Sequence, residues 1–131
     1  MIGLDSNVVL RAITGDDPVQ SPLARRYLSM LSSDSPGVLN AIVLVEIAWT
    51  LRTTYRYRRQ EVLDCIESLM GSDAYHVIDR DAVVRALEIS FEHAIEFADA
   101  FIGEINRAAG CVTTMTFDQG AVQVTGFTQL H

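Results

Sequence analysis

Along this chain the apolar residues repeatedly change their period. Short strand-like runs (Ile2–Leu4, Val38–Leu39, Tyr75–Ile78, Cys111–Met115) alternate with longer stretches whose apolar positions recur every three or four residues. The first period belongs to strands and the second to helices. Their alternation predicts an α/β fold. Strand-crossover-strand connections of this kind favour a mainly parallel central sheet covered by helices on both faces, a three-layer α/β/α sandwich.

The helical stretches carry their own punctuation. Asn7–Ile13 reads as a first helix, and the Gly15-Asp16-Asp17-Pro18 turn leads to a longer one, with Ser21 and Pro22 as N-cap and N1. Asn40 caps a helix to about Thr54, and another spans roughly Gln60 to Met70. Asp79 and Asp81 open a helix to about His93; a last one runs from about Phe97 to Ala109, with Gly110 as its left-handed stop. Val122–Phe127 closes the chain. At 131 residues and 49% hydrophobic content, without repeats or a Gly/Ser/Pro-rich linker, residues 1–131 are expected to form one domain around one core.

Asp5 stands where a signal peptide needs a basic segment and an apolar run, and no later stretch is apolar over membrane-spanning length. The expected location is the cytoplasm, away from membranes. Cys65 and Cys111 fall in a helical and a strand-like pattern, and are expected to be buried free thiols rather than a disulfide or zinc pair. His76, His93 and His131 show no ligand-pair spacing and are assigned no site.

A net charge of −7 argues against a surface that grips nucleic acid all over. The distribution is more informative. All ten basic residues are arginine, and Arg52, Arg56, Arg58 and Arg59 are interleaved with Tyr55 and Tyr57. That stretch can contact RNA by charge and stacking; it also reads as a solvated helix end, where cations favour the C-terminus.

The acids carry the chemistry. Asp5 directly follows the first strand, and Asp118 occupies the equivalent place after Cys111–Met115; either is an N-cap or part of a shared site at the strands' carboxyl ends. Glu46 lies mid-helix among Ile42, Val43, Val45, Ile47 and Trp49, so it is expected on an apolar face, where a carboxylate is costly unless paired or bound to metal. Arg52 is its one candidate ion-pair partner on that helix. Asp99 lies in the first turn of its helix, where an acid also suits the macrodipole, with Asn106 about two turns on and the small Gly103 leaving room for a metal and a phosphate. Carboxylates converging on one point repel one another and call for a cation. All-oxygen ligands suit Mg²⁺ or Mn²⁺ rather than Zn²⁺.

These acids with their neighbours resemble the PIN-domain nucleases and, within them, the VapC-type toxins. The matching stretches are Ile2-Gly3-Leu4-Asp5-Ser6-Asn7-Val8, Val45-Glu46-Ile47-Ala48-Trp49, Phe97-Ala98-Asp99-Ala100-Phe101-Ile102 and Thr116-Phe117-Asp118. The resemblance implies a Mg²⁺- or Mn²⁺-dependent endoribonuclease with Asp5, Glu46, Asp99 and Asp118 as its acidic pocket. Asp5 and Asp99 would be direct metal ligands, with Glu46 and Asp118 acting partly through water. It implies auxiliary roles for Ser6, Asn7 and Thr116, and an additional acid in Glu96. It further implies an RNA substrate, a homodimer, and a small antitoxin protein that covers the site, with the face of Leu28, Leu31, Leu44 and Leu51 available to either protein partner. The alternatives are a PIN-fold RNA-processing nuclease without a toxin role and an inactive binding module. A receiver domain or a haloacid-dehalogenase-like phosphatase would need a lysine, and the chain has none.

Overall fold

Three short strands, β1 (Ile2–Gly3), β2 (Gly37–Leu39) and β3 (Tyr75–Val77), lie side by side in that order, and β4 (Thr114–Thr116) pairs with β5 (Phe127–Gln129). The structure, a computed structural model, describes residues 1–131. Every pairing is parallel, in the registers Ile2↔Gly37, Gly37↔Tyr75 and Thr114↔Phe127. Six helices connect and cover the strands: α1 (Ser6–Thr14), α2 (Gln20–Ser29), α3 (Ala41–Thr53), α4 (Arg59–Met70), α5 (Arg80–His93) and α6 (Phe97–Ala108). The expected α/β sandwich with parallel strands is present.

The expected single central sheet is divided into a three-stranded and a two-stranded part. Local structure accounts for this. β1 is two residues long with both residues exposed, so it offers few ladder bonds beyond those it makes to β2. The β4–β5 pair is instead held by α6: the Phe127 ring lies over Gly103, and Asn106 Nδ2 donates to Thr114 Oγ1 at 3.0 Å.

Most helix ends follow their sequence signals. Asn40 Oδ1 accepts from the Val43 N–H at 2.9 Å to start α3, and Gly15, left-handed at φ 65°, stops α1. The start of α2 differs from expectation. Asp17, not Ser21, accepts from the Val19 and Gln20 N–H groups, while Ser21 Oγ accepts from the Asp17 N–H. The cap therefore sits four residues earlier, and Pro22 lies within the helix.

The core is one cluster joining α3, α4, α5 and α6 to the sheet, with Leu39, Leu44, Ile47, Leu51, Leu63, Ile66, Val83 and Phe101 fully buried. Leu28, Leu44 and Leu51 belong to it and Leu31 packs against it, so that set is not a free surface for partners. Cys111 is exposed rather than buried because its strand begins only at Thr114. Cys65 is partly buried, which raises its thiol pKa, with Asp64 and Glu61 adding to the effect. No helix is long and apolar enough to cross a membrane.

One buried ion pair was not legible in the sequence. Glu104 on α6 accepts from Arg85 Nε of α5 at 2.9 Å and lies 3.8 Å from Arg107, so it ties the two helices together. On its helix it continues the buried stripe of Phe97, Ala100 and Phe101, but the partner that neutralises it, Arg85, lies on another helix 19 positions away.

Candidate acidic site

Asp5 leaves β1 through Leu4 and stands at the N-cap position of α1, with extended backbone. Its side chain makes no capping bond, and no other residue pairs with it. An N-cap aspartate normally accepts from the second or third helical N–H, so this carboxylate remains free for another partner. Ser6, the next residue, is buried and its Oγ donates to Glu46 Oε2 at 3.1 Å. The contact joins the first turn of α1 to the middle of α3.

Glu46 itself is exposed, contrary to the expected burial among apolar neighbours. Its helix turns Val43, Leu44, Ile47 and Ala48 into the core and leaves Ile42, Glu46 and Trp49 on the open face. The apolar surroundings read from sequence are real, but they too face solvent. Nor does Arg52 pair with Glu46. Arg52 Nε donates to both oxygens of Glu96, at 3.1 and 3.2 Å, and its Nη1 donates to the Tyr57 carbonyl at 3.1 Å.

Asp99 sits half-buried in the first turn of α6. Burial raises its pKa, and the nearby charges of Asp118 and Glu96 raise it further. No cation within the chain offsets them, and the carboxylate makes no hydrogen bond. Asp118 is exposed just past β4, in a turn that the chain shapes locally: its N–H donates to Thr116 Oγ1 at 3.0 Å, and its Oδ1 accepts from the Gly120 N–H at 2.9 Å. Thr116 therefore acts on Asp118 through the backbone. The space expected beside Gly103 is filled, since a Cβ there would stand 2.5 Å from Phe127 Cζ.

The acids thus form two groups, Asp5 with Glu46 linked through Ser6, and Asp99 with Asp118 and Glu96. Their donor chemistry, carboxylate oxygen with hydroxyl and amide neighbours and two unpartnered aspartates, fits a hard divalent cation in kind. No three Asp, Glu, His or Cys side chains stand close enough to hold one ion together. Among the arginines, Arg59 Nη1 donates to the Ser90 carbonyl and Arg58 pairs with Glu61 at 3.1 Å while remaining largely exposed; Arg56 is exposed with left-handed backbone. The sequence reading missed the ties of Arg52 and Arg59, whose partners lie on distant elements.

The family model of the PIN domain matches residues 2–126 of the chain. No curated protein matches it.

Proposed function

The chain belongs to the PIN-domain family, whose members are commonly metal-dependent nucleases, and from that premise we propose that it is a Mg²⁺- or Mn²⁺-dependent endoribonuclease of the VapC toxin type. The observation that carries the reading is the state of its aspartates: Asp5 has no partner, and half-buried Asp99 faces only like charge from Asp118 and Glu96. A half-buried carboxylate facing like charge, as Asp99 does, costs stability unless a cation joins it, and an unpartnered Asp5 is free to share that cation. We assign Asp5 and Asp99 as direct ligands, and Glu46 and Asp118 as acids acting partly through water.

A divalent ion bound there would offset phosphate charge and lower the pKa of a water molecule. The chain's own residues prepare that step. Ser6 holds one oxygen of Glu46, leaving the other to accept a proton or a water hydrogen. Thr116 fixes the turn that presents Asp118, and the Asn7 amide, exposed in the first turn of α1, is available to a phosphate oxygen or sugar hydroxyl. Attack by water, without the 2′-hydroxyl, leaves a 5′-phosphate and a 3′-hydroxyl. Arg56 and Arg58 are the proposed RNA contacts from the basic stretch; Arg52 and Arg59 hold the fold, and Glu96 serves as the counter-ion of Arg52.

The partners belong to the same proposal. A homodimer belongs to the same reading, while Ile42 and Trp49, 70% and 61% exposed on either side of Glu46 on α3, suit an apolar part of the antitoxin that covers the acids. The unpaired acids suit an arginine from a small antitoxin protein, which would form charge-assisted bonds there. The test is cleavage of total cellular RNA by the antitoxin-free protein with Mg²⁺ or Mn²⁺, against chelator and Asp5→Asn. Discrete fragments requiring both metal and Asp5 are expected. A folded Asp5→Asn protein that cleaves at the normal rate would remove Asp5 from the site, and no cleavage with any metal would favour a binding module.

A further inference from the structure

Between α1 and α2 runs a groove of about 350 Å³, lined by Asn7, Val8, Arg11, Gln20, Leu23 and Tyr27. We propose that this groove holds one base of the substrate RNA on the Asp5 side of the acids, and that it selects bases with a carbonyl at purine C6 or pyrimidine C4, guanine and uracil. The proposal rests on the ribonuclease reading and adds a specificity site to it.

Place and chemistry both support this occupant. Asn7 lies two residues beyond Asp5 in the first turn of α1, so the groove wall begins within one helical turn of that acid. Leu23 and Tyr27 are one turn apart on α2 and both reach solvent, giving an apolar wall that includes an aromatic ring. Rings of this kind stack on bases with any sequence. Discrimination must come from the polar wall.

Gln20 supplies it in a fixed orientation. Its Oε1 accepts from Arg11 Nε at 2.9 Å, and Arg11 is held in turn by Asp16, at 3.2 Å from Nη1. Asp16 is anchored by the Tyr55 hydroxyl at 2.8 Å and by Thr14 at 2.8 Å. With the carbonyl of the amide turned to Arg11, it is the N–H₂ group of Gln20, which has no partner in the chain, that faces away from Arg11 and is free for a ligand. A donor fixed in this way meets O6 of guanine or O4 of uracil, and opposes the amino groups that adenine and cytosine carry at the same positions. A groove meant for an apolar peptide side chain would have no use for a buttressed amide donor.

The experiment is chemical-shift perturbation of the full chain, in chelator, by GMP, UMP, AMP, CMP and inorganic phosphate. Shifts at the Gln20 side-chain amide and at Tyr27 are expected with GMP and UMP, at least fivefold smaller with AMP and CMP, and absent with phosphate. Gln20→Ala should abolish the preference, and Tyr27→Ala should weaken all binding at least fivefold, in proteins whose spectra remain dispersed. Equal response to all four nucleotides, or the same shifts with phosphate alone, overturns the proposal. Silence at both residues also overturns it and leaves the groove to a side chain of a protein partner. Because the readout needs no cleavage, selective binding by a protein that cuts no RNA would count against the ribonuclease and not against the groove.

Discussion

Gly103→Ala sets two effects of opposite sign against each other. In the middle of α6, alanine is favoured over glycine by about 1 kcal/mol. The added Cβ would stand 2.5 Å from Phe127 Cζ and 2.7 Å from Cε2, far inside contact distance, so the ring must move. Overpacking costs about 1–3 kcal/mol, and a half-buried ring belongs near the middle of that range. The net expectation is a loss of about 1 kcal/mol. Unfolding entropy of about 2.1 cal/mol/K per residue makes this a fall of roughly 3–4 °C in Tm for a chain of 131 residues. Phe127→Ala empties the space and costs about 2 kcal/mol by itself, less than for a fully buried ring. In that background Gly103→Ala should raise Tm, because only the propensity gain remains. Thermal melts of the four proteins form a double-mutant cycle with a coupling of about 2 kcal/mol. A Gly103→Ala gain of equal size in both backgrounds would refute the contact, and with it the account of how α6 holds β5 and, through β4, Asp118.

Three further outcomes test other parts of the structure. Asp99→Asn should stabilise the metal-free protein by a few tenths to about 1 kcal/mol, small because the group is half-exposed, while removing cleavage. The raised pKa means the folded state holds the proton more tightly, so wild-type stability should fall as pH rises through the Asp99 titration and the variant should lack that slope; identical pH–Tm curves would refute this. Glu104→Ala should cost about 2–3 kcal/mol by chemical denaturation, below the figure for a fully buried pair because Arg85 and Arg107 can rehydrate, and a loss under 0.5 kcal/mol would refute the clamp. Arg56→Gln and Arg58→Gln should leave stability within about 0.5 kcal/mol and each reduce the salt dependence of single-stranded RNA binding by about 0.7 in log–log slope, whereas Arg52→Gln should lower stability by up to about 1 kcal/mol.

What the sequence made legible was whatever depends on near neighbours. The change of apolar period located four of the five strands and all six helices because each period reflects one element's own burial pattern; β5 (Phe127–Gln129) begins only where the closing Val122–Phe127 segment was expected to end. Asn40 and Gly15 were readable for the same reason, since a cap acts within a single turn. Contacts between elements were harder. Glu46 looked buried because helical neighbours can specify an apolar stripe without specifying what covers it. Arg52 looked like a partner for Glu46 or RNA, and its true partner, Glu96, lies 44 positions away. The α1–α2 groove had no local signal at all: Asn7, Gln20 and Tyr27 belong to unremarkable patterns until two helices bring them together.

The same distinction bears on where the chemistry is vulnerable. Asp5 is carried by the three-stranded sheet, Asp118 by the β4–β5 pair, and Glu46 and Asp99 by α3 and α6, which pack against each other. No ladder of backbone hydrogen bonds joins the two sheets, so their relative position depends on helix packing, on Val124 buried in the core, and on two side-chain links to α6, Phe127 over Gly103 and Asn106 to Thr114. Side-chain links yield by fractions of an ångström far more readily than a sheet ladder does, and an ångström in the placement of an acid can cost a reaction about a hundredfold. Asn106→Leu should therefore reduce cleavage more than tenfold while leaving Tm within a few degrees, although residue 106 is none of the four acids. An equal, small loss in both quantities would mean that Asp118 is positioned by its own turn alone.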